Sequence, residues 1–128
     1  MNVMQSTTSA ATTFAADAMA AAAARRWLRA GLLDWGCPAL VEAAELCVSE
    51  LVTNALRHCR REVFVRATLA NGRLRVEVRD DDVVGRPVRR GDDELAEGGR
   101  GLLILDHLTE AWGVTPGVLG KSVWFELA

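Results

Sequence analysis

Residues 63–79 read VFVRATLANGRLRVEVR, and two runs of period two flank the Asn71-Gly72 pair. Val63, Val65, Ala67 and Leu69 alternate with Phe64, Arg66 and Thr68, and Leu74, Val76 and Val78 alternate with Arg73, Arg75, Glu77 and Arg79. Alternation puts successive side chains on opposite faces of a strand, and Asn-Gly supplies the two positive φ angles of a tight hairpin turn. The stretch therefore predicts a β-hairpin whose apolar inner face packs on helices and whose outer face is basic and polar.

Upstream, the pattern has helical period. Asp17 opens an alanine-rich helix expected to reach about Ala30, with Arg25, Arg26 and Arg29 near the negative end of its dipole and Gly31 loosening or stopping it. Asp34-Trp35-Gly36-Cys37-Pro38 reads as a loop, with Pro38 in the first turn of a second helix running to about His58. Residues 1–13 are rich in Ser, Thr and Ala without useful periodicity. They read as a flexible N-terminal tail or a weak edge strand, which leaves 14–128 as one domain.

Downstream, residues 80–100 form a polar stretch long enough to be a lid or binding loop. An apolar helix is expected from Gly101, with Leu102 to Leu105 and Leu108 largely buried. Two closing strands follow, around Val114 and over 122–127. The order helix, helix, hairpin, loop, helix, hairpin implies an α+β fold: a two-layer sandwich of a mixed or antiparallel β-sheet with helices packed on one face.

Within the second helix, SELVTNALRH (49–58) sets Glu50 and Asn54 four residues apart with Arg57 three further on, so all three project from one side. Leu46, Cys47, Leu51, Val52, Ala55 and Leu56 supply an apolar stripe. A plain amphipathic helix would show the same pattern; a carboxylate, a carboxamide and a guanidinium so placed can also hold a metal-bound phosphate. Asp80 stands where a strand ends and the long loop begins. Gly98-Gly99-Arg100-Gly101 precedes the apolar helix, where backbone N–H groups can face an anion. Each glycine cluster alone would serve as turn punctuation. Gly120-Lys121-Ser122 is not the end of a P-loop, because Thr115 occupies the required glycine position and a strand follows.

The 128 residues carry a formal net charge of -2, half are hydrophobic and a quarter charged, which suits a soluble domain with no global field for nucleic acid or anionic membrane. Arg57, Arg60 and Arg61 form too short a cluster for a DNA-binding surface. Three cysteines without C-x-x-C pairing suggest neither a disulfide framework nor a zinc site, and they suit a reducing cytoplasm. The alanine-rich segment is interrupted by Asp17 and is too short to cross a bilayer.

In this order, SELVTNALRH, VEVRD, GGRGLLIL and GKSVWFEL resemble the motifs of the GHKL ATP-binding superfamily, which includes histidine-kinase catalytic domains. More narrowly, the chain resembles the anti-sigma-factor serine/threonine kinases similar to RsbW and SpoIIAB, in the stand-alone form common in actinobacteria. The resemblance implies ATP and Mg²⁺ as cofactors. It makes Asn54 the metal ligand, Glu50 the catalytic base, Arg57 a phosphate contact and Asp80 the acceptor of the adenine amino group. Gly99 and Gly101 would cradle phosphate, Arg100 would add charge, and Ser122 would complete the adenine pocket.

The first glycine box departs from the D-x-G-x-G form. Asp80 is followed by Asp81-Asp82-Val83-Val84, which leaves Gly85 as its remnant, and the lid carries Asp92, Asp93, Glu94 and Glu97. The implied partners are a STAS-type anti-anti-sigma protein, a sigma factor or both, with no direct nucleic acid and no membrane. A homodimer would use Trp27, Trp35 or the hairpin's outer face. The alternative function is a protein-binding or nucleotide-sensing module without phosphotransfer. Two histidines stay outside the chemistry: His58 as a packed or phosphate-proximal residue, His107 as a helix-surface side chain.

Overall fold

The computed structural model describes residues 7–57, 59, 61–80, 99–117 and 120–128, with the backbone alone for 99–102, 117 and 120. The hairpin forms as its alternation requires: β2 (Glu62–Ala70) and β3 (Arg73–Asp80) pair antiparallel from Val63 opposite Asp80 to Ala70 opposite Arg73. Asn71 and Gly72 both take positive φ, 55° and 76°, which fits the favoured two-residue turn.

Thr7–Ala15 form β1, antiparallel to β2 without a break in register, so of the two readings of the first residues, tail or edge strand, the edge strand holds from Thr7 on. The domain boundary drawn at residue 14 falls inside this strand. β4 (Ala111–Gly117) and β5 (Gly120–Leu127) make the second hairpin, and β5 lies antiparallel against β3. The sheet is antiparallel throughout, in the order β1-β2-β3-β5-β4.

α1 (Ala20–Asp34) and α2 (Val41–Leu56) pack against one another and against one side of this sheet. Asp17 accepts a hydrogen bond from the Met19 N–H at 2.8 Å in the turn that leads into α1. The helix runs through Gly31 and stops three residues after the expected Ala30–Gly31 end. Its end is set by Gly36, at φ 78°, where the Gly36 N–H reaches the Leu33 carbonyl and the Cys37 N–H reaches that of Leu32. This left-handed closure satisfies carbonyls that the last turn leaves open. Pro38–Leu40 form a short 3-10 turn that leads directly into α2.

The core is one continuous cluster. Ala24, Leu28 and Leu32 of α1 and Ala44, Cys47, Val48, Leu51 and Val52 of α2 meet Val63, Val65, Leu74, Val76 and Phe125 from the sheet. Register assigns the opposite face of the sheet to Phe64, Arg66, Thr68, Arg75, Glu77, Arg79, Trp124 and Glu126. There the Arg75 guanidinium stacks 4.2 Å from the Trp124 ring and bonds Glu126 at 3.0 Å, while Arg79 lies 4.5 Å from the Phe64 ring. Trp27 and Trp35 are partly buried against the core, Trp27 edge-on to Phe14.

α3 (Gly99–Leu108) packs against α2, and its Asp106 carboxylate accepts the Trp112 indole N–H at 2.7 Å. It begins at Gly99 rather than Gly101. The expectation of a largely buried helix is corrected: Leu105 is fully buried, but Leu103 is 59% and Leu108 39% exposed. Among its described side chains, Leu105 is the one fully buried, and the helix packs against α2 and β4.

Candidate functional site

α2 carries the central residues because its buried stripe fixes its rotation. With Val48, Leu51 and Val52 turned into the core, Glu50 and Asn54 lie at the margin of the buried face, each partly exposed, one turn and about 6 Å apart along the axis. Arg57 closes the helix and is exposed. Leu46, which the sequence places in the apolar stripe, instead stands one turn before Glu50 and is 44% exposed. The side chains of Glu50 and Asn54 make no hydrogen bond or ion pair with another of the described residues.

The rotation of α2 is also secured from outside the core. Arg25 of α1 donates to the Ser49 hydroxyl at 2.7 Å, and Arg29 lies 3.5 Å from the Glu45 carboxylate. Neither contact was legible from the motif, although Ser49 immediately precedes Glu50. Beneath Glu50 lies the fully buried Cys47; burial first, and the Glu50 carboxylate second, push its thiol up to about 11. The thiol stays protonated and neutral at physiological pH.

Asp80 ends β3 on the helix side of the sheet and is 7% exposed, the one buried charged residue among those described. A carboxylate so deep at a strand end can select a hydrogen-bond donor while the rigid sheet holds it in place. Ser122 sits elsewhere: it is in register with Arg79, on the face away from the helices. The residue of β5 that alternation puts on Asp80's face is Lys121, one position beyond the Arg79–Ser122 pair. Sequence reading considered Lys121 only as part of a rejected P-loop. The phase of β5 against β3 is what gives it this position.

Gly99, Arg100 and Gly101 form the first turn of α3, whose leading N–H groups have no acceptor within the helix. With α2 alongside, a helix N-terminus, the Glu50–Asn54 face and the buried Asp80 belong to neighbouring elements on one side of the sheet. Gly85, His58 and the acidic stretch 92–97 lie outside the described residues. Among the described residues no group of three His, Cys, Asp or Glu side chains could hold a metal ion by itself. Magnesium takes one or two protein oxygens and fills its octahedron with water and phosphate oxygens. The Asn54 carboxamide is such an oxygen.

The sequence model of the histidine kinase-like ATPase domain matches residues 14–127, nearly the whole chain. The chain belongs to this family. Its antiparallel sheet with helices on one face is the fold that membership implies, and the histidine kinase-like ATPase domain is an ATP-binding domain, typically with Mg²⁺. No curated protein matches the chain closely enough to add to this assignment. None of the described helices is long and apolar enough to cross a membrane.

Proposed function

We propose that this ATPase domain is an Mg-ATP-dependent serine/threonine protein kinase that regulates transcription through sigma-factor sequestration, with a STAS-type anti-anti-sigma protein as its phosphoacceptor. The observation that carries the reading is the pairing of Glu50 with Asn54 on one face of α2, neither side chain hydrogen-bonded or ion-paired to a described residue. Metal binding needs Asn54 alone; a carboxylate one turn away adds a base. Glu50 accepts the proton of the partner's hydroxyl as its oxygen bonds to the γ-phosphorus, and the bond to the β-phosphate bridge breaks to release ADP. Bound Mg²⁺, held through Asn54, supplies charge neutralisation on the phosphates.

Asp80 takes the adenine amino group in this reading, and the first turn of α3 with Arg100 and Arg57 meets the phosphates. Ser122, on the far face of the sheet, has no assigned part. A phosphate added to the partner brings roughly -1.5 to -2 charge, which weakens its contact with the kinase through local repulsion and desolvation and releases it.

A second reading, a sequestering or nucleotide-sensing module without transfer, is favoured by one observation: Asp82 and Val84 stand where the D-x-G-x-G motif has its two glycines. Calorimetric titration with ATP, with and without Mg²⁺ and repeated with GTP, followed by incubation with a STAS-type partner, separates the two. The kinase reading expects Mg-dependent, adenine-selective binding and a phosphorylated serine or threonine on the partner. Selective binding with no transfer to any such partner supports the sequestering module.

A further inference from the structure

Of the arginines that β2 and β3 place on the sheet face turned away from the helices, Arg73 and Arg75 are paired with acids and Arg66 and Arg79 are not. On that face Phe64 stands between Thr13 of β1 and Arg79 of β3, and Arg79 stands beside Ser122 of β5. One register pair along, Arg66 stands between Ala11 and Glu77. Glu77 faces Arg66 but bonds Arg75 at 3.2 Å, and Arg75 also takes Glu126 at 3.0 Å. Both acids are drawn to one arginine. Among the described residues the Arg66 and Arg79 side chains have no hydrogen bond or ion pair, and both guanidiniums rest on a single ring, 5.7 Å and 4.5 Å from the Phe64 centroid. Arg66 is exposed, and Ala11 and Thr13 beside the pair are too short to cover it.

A guanidinium held against an aromatic ring keeps its N–H fork open to a carboxylate, and the ring limits its freedom in advance. We propose that Arg66, Phe64 and Arg79 form a docking surface for an acidic segment of a partner protein, one that presents two carboxylates on the same side. The spacing selects the segment. Arg66 and Arg79 are diagonal neighbours across β2 and β3, about 7–8 Å apart, and alternate residues of an extended chain stand about 6.6–6.8 Å apart. An acid-x-acid run in extended form therefore brings one carboxylate to each guanidinium. Charge favours such a segment over a nucleic acid: Glu77 and Glu126 border the patch and the chain carries -2 overall, which opposes a continuous polyphosphate but not two well-placed carboxylates. The surface lies on the other face of the sheet from Asp80 and α2, so it stands apart from the nucleotide site.

The test is an NMR titration of the full chain, without nucleotide, with the synthetic peptide acetyl-Thr-Glu-Val-Glu-Thr-amide, read at the signals of Thr13, Phe64, Arg66 and Arg79. The expected result is saturable binding in the millimolar range that is lost in high salt, since exposed charges carry it. Arg66→Gln and Arg79→Gln each weaken it about threefold, the scale of one exposed ion pair. Glu77→Gln tightens it, because the acid bordering Arg66 is gone although no contact with the peptide is added. A peptide with the order Glu-Glu-Val, whose carboxylates leave on opposite sides of an extended chain, binds more weakly. The proposal is overturned if the patch signals do not move, if affinity ignores both arginine substitutions, or if a short oligothymidylate or a second copy of the chain occupies the patch in preference to the peptide.

Discussion

Glu50 and Asn54 share one face of one helix, yet their loss should be felt at different steps. Glu50 anchors no nucleotide atom in the proposed chemistry, so Glu50→Ala is expected to abolish transfer to the partner while leaving ATP affinity within about twofold; a general base contributes roughly 10²–10⁴ to the rate. Parallel loss of binding and transfer in calorimetry and a phosphotransfer assay would contradict this division of roles. Asn54→Ala, by contrast, should remove the Mg²⁺ dependence of binding, and an unchanged titration with and without the metal counts against the ligand assignment. Asp80→Asn exchanges a carboxylate for a group that is half donor, so the preference for ATP over GTP should fall by about tenfold, the scale of one buried hydrogen bond. The spacing of Glu50 and Asn54 was legible because helical period alone puts them on one face. The side of the sheet taken by Ser122 was legible in the same way, since Val123, Phe125 and Leu127 alternate with Ser122, Trp124 and Glu126 and the apolar set is the buried one; a match to the motif alone passes over that alternation.

Among the elements, the central hairpin was legible from its alternation and turn, whereas β1 was ambiguous because threonine and alanine give little contrast between faces. Gly31 reads as loosening or stopping the helix, but a single glycine costs only about 1 kcal/mol within a helix, and the Gly36 closure lies five residues on. α3 shows the opposite failure: consecutive leucines suggest burial, but among the helix's described side chains Leu105 is the one fully buried. The β4–β5 pairing holds a constraint invisible in the sequence. The Trp124 indole lies against Gly113, where an added Cβ would stand 2.8 Å from its Cζ2, with Arg75 stacked on the same indole. Gly113→Ala should therefore displace the indole and lower stability by about 1–3 kcal/mol, the usual range for overpacking. Urea unfolding checks the size. The same substitution made in a Trp124→Ala background should cost much less, and an equal cost in both backgrounds would place the strain elsewhere.

At the scale of the whole molecule, the core and the site meet at Cys47, which α2 buries in the core three residues before Glu50 on the same helix. Its thiol has an ordinary value of 9.0 and is raised to about 11 in the folded chain, chiefly by burial and secondly by the Glu50 charge. Between these values the unfolded chain loses the proton and the folded chain keeps it, so the unfolded state binds fewer protons and stability falls as pH rises. The contribution is fully present below pH 9 and is lost through about pH 11, to a total of roughly 2–3 kcal/mol. The alkaline window is unusually open to this measurement, because the sequence contains no tyrosine and Lys121 is its single lysine. Urea midpoints taken from pH 8 to pH 11 should decline in the wild type and decline less in Cys47→Ala, after allowance for that variant's lower starting stability. Glu50→Ala should keep most of the decline, since burial is the larger cause, and shift its upper end toward lower pH. If Cys47→Ala shows the same slope as the wild type, the thiol is not the titrating group, and the close packing of Cys47 beneath the Glu50 face would lose its thermodynamic signature.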